Sequence, residues 1–581
     1  MVFVLLPVSL LLAVLLLIPQ MFGDFMAYQI GLYLIYGIAA QGIGYLWGKT
    51  EILPLGQALF FGVAAYATAL TLRNIDSLAM QLGIAVVVMA GIGLLAFGLA
   101  ALIFKGRNES GPYFSLITLA LVMICEQIAN TASGLTGGFN GLSGYSSIAD
   151  LDPYGNFYYL VVCCTVLVST TLLILNRLPI NLVTKGVADN EPRLQLLGFA
   201  THRIKGFAFA FSAVIAALAG GLFASHQGIV TPTSTGFGLS AELVILAAIG
   251  GRFHVLGPLI GAVLVGWASA ELRDSFPYWE IVMALGFILV VLKAPGGLSE
   301  LIEQGIRRFW KPSTAAHTDT IKAPPPRAPR ILAPLVFEDA KLQIGVVRIL
   351  NGVTFETPAE GVISIIGPNG AGKTSALNTI TSNLGVTSGH ISLGTTAIEN
   401  RAPYAALGNG IGRKLQVPSV FFSMTVAENL TLAMLAGRAR PRDLFHRSTF
   451  GWQSDALGRV MANPHLSLGD DLAKTAGSLP QGHRQFLEFA MTVASEPTLL
   501  LLDEPCAGLS PDETTIMTQL VQEFQNQSGG LVIIIEHDMS IVEAISDKVL
   551  VLHQGQVLAF DTYTKVRANA QVQSVYAGAT K

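Results

Sequence analysis

The run GPNGAGKT at residues 367–374 carries the residue types that hold phosphate. Gly367, Gly370 and Gly372 let backbone N–H groups curl round phosphate oxygens, with Pro368, Asn369 and Ala371 completing the turn, and a helix beginning near Thr374 adds the partial positive charge of its N-terminus. Lys373 supplies a mobile cation for the outer phosphates, and the Thr374 hydroxyl can ligate magnesium. About 130 residues later LLLLDEP ends in Asp503 and Glu504. Four leucines fit a buried parallel strand that delivers its acidic end to the ligand edge of a sheet. There Asp503 would hold magnesium through water, and Glu504 would polarise an attacking water as general base. LVIIIEHD brings His537 to the same edge, in position for the terminal phosphate, and Gln416 falls in a loop after the phosphate helix. Alone, an Asp-Glu strand end is more often a helix cap, a histidine after a strand structural and a glutamine solvated. Beside the phosphate cradle the catalytic reading wins.

The elements that must position these residues occupy only half the chain. At 581 residues it exceeds what one core supports, so at least two domains are expected. Residues 1–300 hold 12 Lys/Arg and 14 Asp/Glu against 23 and 24 in residues 301–581, which recovers the totals of 35 and 38. The first half is membrane-like and the second soluble. A net charge of -3, with no long block of one sign, offers nothing to nucleic acid. Cys125, Cys163, Cys164 and Cys506 have no zinc spacing and read as apolar packing residues.

Apolar runs long enough to cross a bilayer recur at 3–22, 26–46, 54–72, 80–104, 113–131, 157–176 and 206–226, and 240–293 reads as three further short or re-entrant segments. The opening VFVLLPVSLLLAVLLLIPQMF lacks the basic start and cleavage site of a secretion signal and reads as a first span. Ten crossings, in a range of eight to ten, with both ends in the cytoplasm place Lys49, Lys105, Arg107, Arg177, Lys185, Arg193, Arg203, Lys205, Arg252 and Lys293 inside, and Arg73 and Arg273 outside. On that reading residues 131–156 are an outer loop and 177–205 a basic inner one. Within the spans, Glu126, Gln127, Asn130 and Glu242 either line a polar path for a solute or lock helices together. Most glycines of the spans are expected to serve close helix packing.

The expected organisation is therefore multi-domain. An N-terminal all-α polytopic membrane domain (1–300) leads through a Pro-rich linker (301–335) to a C-terminal α/β phosphate-loop NTPase (336–581).

Between the cradle and LLLLDEP lies SLPQGHRQFLEFAM, a loop running into a helix. With it, the soluble half resembles an ATP-binding cassette. GPNGAGKT matches Walker A, Gln416 the Q-loop, LPQGH (479–483) the signature, LLLLDE Walker B, Ser510 to Asp512 the D-loop region and His537 the switch histidine. AGLSPDE, EHDM and VYAGA resemble cassettes of branched-chain amino acid importers, whereas GIGRKLQVPSVF and QFLEFAM lean toward those of urea importers. The membrane half, across 25–300, resembles the permease of the same family in GQALFFGVAAYATAL, TGGFNGLSGY, ADNEPRLQLLGF and IGGRFHVLGPLIGAVL.

The resemblance implies ATP and Mg2+ as cofactors, with Thr374, Gln416 and Asp503 about the metal and Glu504, His537 and Gln416 in catalysis. It also implies a second permease, a second cassette, an extracytoplasmic solute-binding protein, and a multi-pass place in a bacterial-type inner membrane with the cassette in the cytoplasm. Glu191 to Gly198 matches the permease helix that fits a cleft on the cassette. Two departures stand out. Pro480 and His483 replace the usual Ser and Gln of the signature, removing a hydroxyl and an N–H, so the ATP site completed by this signature is expected to be weakened. Ile344 stands where many cassettes stack an aromatic on adenine. A branched-chain amino acid is the first expectation for the solute and urea or a short amide the second. A ligand-gated pore with a regulatory cassette is the rival from another class.

Overall fold

The computed structural model describes residues 2–104, 111–276, 278–294, 296–309, 332–437, 441–445, 455–463 and 468–578. The chain divides into two compact units, Met1–Ala188 with His202–Ala315, and Asp189–Thr201 with Ala316–Lys581.

The first unit is helical. Among the described residues, five helices are long and apolar enough to cross a membrane: Pro7–Thr50, Leu78–Phe104, Pro112–Thr131, Phe157–Leu175 and Thr201–Gln227. The first has 44 residues, which at ~1.5 Å per residue is roughly twice a bilayer's hydrocarbon thickness. It breaks at Gly23, whose φ of 80 and ψ of 176 are non-helical, between the two spans expected at 3–22 and 26–46. Gln57–Asn74 is a further helix, and 240–293 forms the three shorter helices Phe237–Gly250, Gly257–Ser275 and Trp279–Lys293. A last helix, Gly297–Phe309, takes in the first nine residues of the expected linker, where Leu298, Leu301 and Ile302 follow helical spacing. Residues 310–331, the Pro-rich remainder, lie outside the described residues. In the expected outer loop, strand β1 (Leu142–Ser143) pairs antiparallel with β2 (Ile229–Val230).

Aromatic rings fill the core of this unit: Phe209 meets Phe60 and Phe114 edge-on at 5.5 and 4.8 Å, and Phe114 stacks on Phe104 at 4.9 Å. Glycines bring backbones together, since a Cβ at Gly220 would overlap the Phe61 carbonyl and one at Gly261 the Leu246 carbonyl. Polar side chains tie helices across the core. Gln57 donates to Ser212 Oγ at 2.9 Å and Gln41 to Ser169 Oγ at 3.0 Å. Of the acidic groups in the spans, Glu126 lies against the Gly236 backbone, where an added Cβ would stand 2.7 Å from its carboxylate, while Glu242 is exposed on the unit's surface.

The second unit is built on two sheets. The antiparallel one has strand order β4-β3-β6-β7, from β3 (Leu335–Ile344), β4 (Val347–Glu356), β6 (Ser388–Leu393) and β7 (Thr396–Ala397). The larger has order β12-β11-β5-β10-β9-β8. Its strands are β5 (Gly361–Ile366), β8 (Ile411–Lys414), β9 (Leu499–Asp503), β10 (Leu531–Ile535), β11 (Lys548–His553) and β12 (Gln556–Asp561). All neighbours in it are parallel except β11 and β12. β5, β9 and β10 are buried at every position, as strands covered on both faces require. Their apolar side chains, with Leu377 and Ile380 of the helix Lys373–Ile380, form one core.

Candidate active site

Ile535 of β10 sits level with Asp503 of β9 and with Ile365 of β5, so three strands end together at one edge. Open parallel sheets bind ligands at this carboxyl edge. After β5 the chain turns through Gly367 (φ +152), Gly370 (φ +82) and Gly372 (φ +98), conformations that L side chains rarely adopt, and a Cβ at Gly367 would strike the Leu552 carbonyl. Lys373 opens the helix, and its Nζ folds back to donate to the Gly367 and Pro368 carbonyls at 2.8 and 3.1 Å. Burial pulls the Lys373 ammonium below its usual pKa, with Glu504 and Asp503 acting against that shift.

Thr374 Oγ1 donates to Asp503 Oδ1 at 3.4 Å. Asp503 is fully buried, and among the described residues its Oδ2 accepts no hydrogen bond, with Arg413 Nη2 standing off at 3.7 Å, so a hydroxyl and a carboxylate oxygen without a hydrogen bond stand side by side. Two hard oxygen donors, one of them without a hydrogen bond, fit a magnesium ion. Burial pushes the Asp503 carboxyl up, Arg413 pulls it down and Glu504 pushes it up again. Glu504 has φ +45, a left-handed backbone fixed by its N–H donating to the Ile535 carbonyl at 2.9 Å. Its Oε1 lies 2.9 Å from His537 Nε2. The structure thus brings Lys373, Thr374, Asp503, Glu504 and His537 to one edge. Gln416 stands exposed two residues beyond β8, whose Lys414 is level with Leu502, the neighbour of Asp503.

Pro480 is exposed at the N-cap of the helix Gln481–Ala494, where it makes no side-chain cap hydrogen bond. His483 Nδ1 lies 3.6 Å from Asp471, which Lys474 engages at 2.6 Å and holds below the usual carboxylate range. The helix Pro511–Ser528 starts with Ser510 and Glu513 in a capping box. Ile344 ends β3 at a hairpin tip where Val346 and Val347 are also exposed.

The segment Asp189–Thr201 packs within this second unit. The helix Pro179–Leu196 breaks at Asn190 (φ -154, ψ 81), whose Nδ2 donates to Ser419 Oγ at 3.0 Å, while Ser423 N and Oγ both donate to Asp189 Oδ2 at 2.7 Å. Arg193 is 1% exposed. Its guanidinium donates to the Arg413 carbonyl at 2.8 Å, to Glu488 Oε1 at 3.4 Å and to Thr492 Oγ1 at 3.0 Å. Lys414 Nζ approaches Glu488 at 3.8 Å and Arg413 approaches Asp503 at 3.7 Å. Arg413 also donates to Asn378 Oδ1 and Thr381 Oγ1, at 2.8 and 2.9 Å, at the end of the phosphate helix. Burial pulls Arg193 and Lys414 down, Arg413 down to about 10, and pushes Glu488 up, and the opposite charges counter each shift. The sequence motifs did not single out Arg413, Lys414 or Glu488 as site residues. The available signal was a charged pair in the strand IGRK and a lone glutamate on the apolar helix face of QFLEFAM.

Two family models match the chain. The branched-chain amino acid transport system permease component matches residues 25–292, and the ABC transporter model matches 350–507. The high-affinity branched-chain amino acid transport ATP-binding protein LivG of Salmonella typhimurium is 34% identical over 245 residues, covering 41% of this chain and 94% of that protein. BraF, the corresponding protein of Pseudomonas aeruginosa, is 33% identical over 247 residues, again 41% and 94%. The permease protein LivM of Escherichia coli is 27% identical over 296 residues, covering 46% of this chain and 68% of LivM. With the cassette fold, the phosphate loop and both families joined in one polypeptide, the chain belongs to the ABC transporter family as a branched-chain amino acid type permease fused to its ATP-binding cassette.

Proposed function

We propose that the cassette hydrolyses ATP to drive uptake of a small zwitterionic solute, a branched-chain amino acid, through the membrane unit. The observation that carries the reading is the pairing at one sheet edge of Thr374 with Asp503, and of His537 with Glu504, beside the Lys373 loop. Lys373 and the loop N–H groups bind and orient the phosphates. Glu504 takes the proton of the attacking water, and His537 holds that carboxylate in place. Thr374 and Asp503, with Gln416 from the adjoining loop, would hold magnesium, which would supply charge neutralisation at the outer phosphates.

The chain holds one permease and one cassette, while each ATP of a cassette pair is closed by the opposite signature. A second permease, a second cassette and an extracytoplasmic binding protein complete the assembly. The assembly lies in a bacterial-type inner membrane, with the cassette and both termini in the cytoplasm. A cavity of about 400 Å³ in the membrane unit, walled mostly by apolar side chains such as Leu82, Met89 and Leu218 with Thr68, Gln81 and Ser225 among them, has no charged lining residue among those described. Its mostly apolar wall suits an aliphatic side chain. The test is accumulation of labelled leucine by proteoliposomes of the complete complex. Accumulation against the gradient that Lys373→Ala abolishes supports the reading. Downhill leucine entry without hydrolysis would turn it into a gated pore, and competition by urea alone would overturn the solute.

A further inference from the structure

We propose that Arg193 is a positioning residue for ATP hydrolysis: through Glu488 and the end of β8, it holds Asp503 where that carboxylate serves magnesium. The inference rests on the roles given above to Asp503 and Glu504. Five ionisable side chains, Arg193, Arg413, Lys414, Glu488 and Asp503, lie together with almost no exposure. Removing one partner from such a group leaves an uncompensated buried charge, which the others move to meet. Among the described residues, Arg193 is the one cation that engages Glu488 within hydrogen-bond reach. Lys414 stands off at 3.8 Å, and the Leu415 N–H, at 2.9 Å, and the Ser419 backbone are neutral partners of that carboxylate.

Arg193 has two consequences for the catalytic edge. It neutralises Glu488, which leaves Arg413 free to face Asp503 and the phosphate helix through Asn378 and Thr381. It also pins the Arg413 carbonyl, and so the end of the strand that leads to Gln416. Without it, Glu488 draws Lys414 and Arg413 toward itself and Asp503 loses its counter-charge. The opposite loss, of Glu488, leaves three cations with only Asp503 to approach, and they compete with the metal there. In both cases the partner that tunes a metal-holding carboxylate changes, a loss worth ~10–100-fold in metal affinity.

Arg193 lies in Asp189–Thr201, a stretch that interrupts the permease sequence yet packs within the second unit, so the charge it places there is part of that unit. The experiment uses the complete complex, with Mn2+ binding in the presence of a non-hydrolysable nucleotide read by electron paramagnetic resonance, alongside ATPase kcat and KM. Arg193→Met and Glu488→Gln are each expected to raise the Mn2+ half-saturation by about tenfold and lower kcat more than they change KM. The double variant, with both buried charges gone, is expected to return toward wild type in Mn2+ half-saturation, a readout that a contact serving docking alone does not move. If Arg193→Met fails to fold, Glu488→Gln against the double variant carries the same comparison. Unchanged Mn2+ half-saturation in the single variants, whatever happens to uptake, would overturn the proposal. Glu504→Gln in the same assay separates the two levels: if it hydrolyses ATP normally, the assignment of the site has failed rather than the role of Arg193.

Discussion

At the scale of residues, the proposed division of labour between Glu504 as proton acceptor and Asp503 as metal holder rests on their different environments. Asp503 is buried, with one oxygen that accepts no hydrogen bond among the described residues, while Glu504, in the next position, reaches His537 at the surface of the edge. Glu504→Gln is therefore expected to lower ATPase activity by ~10²–10⁴-fold while nucleotide binding, measured by filter retention, stays near wild type. A proportionate loss of binding would contradict that division. Pro480 lacks both donors that the family's serine offers, so Pro480→Ser is expected to lower the ATP concentration needed for half-maximal hydrolysis, because the site closed by this signature gains a hydroxyl. The motif residues were legible because glycine, lysine and acidic types recur there at spacings the chemistry dictates. Arg413, Lys414 and Glu488 were not, since a charged residue in a sequence is ordinarily solvated and only the tertiary contact shows it buried.

At the scale of elements, apolar continuity made β5, β9 and β10 readable, and the helices of the membrane half follow the apolar runs. The break at Gly23 falls in the gap the apolar runs left between 3–22 and 26–46; what the pattern could not give was the pairing of β1 with β2 across about 90 residues, because it depends on a partner distant in sequence. The helix at Gly297–Phe309 was absorbed into the expected linker because the proline and charge that follow it dominate the composition. The β3–β4 hairpin tip presents Ile344 and Val346 to solvent where an aromatic ring could stack on a base. Ile344→Tyr is expected to tighten ATP binding by about tenfold, as base–aromatic stacking is worth ~1–3 kcal/mol. Calorimetry on the complete complex checks it, and an unchanged affinity would place the adenine elsewhere.

At the scale of the whole molecule, one polypeptide joins a permease to the cassette that powers it. The stretch Asp189–Thr201, which the sequence places between apolar runs of the membrane half, is seated among Arg413, Ser419, Ser423 and Glu488 of the second unit. That the sequence indicated Glu191 to Gly198 for this role, but not which side chain enters the cassette, reflects the same limit: Arg193 is one arginine in a basic loop until its burial is seen. Transport on the proposed reading requires that hydrolysis at Asp503 and Glu504 be transmitted to the membrane half. The most direct measurement follows ATP consumption and leucine accumulation together in vesicles of the assembled complex, with and without solute-loaded binding protein. Faster hydrolysis with loaded protein, matched by accumulation that Glu504→Gln abolishes, is the predicted result; hydrolysis at one constant rate with no accumulation would contradict it.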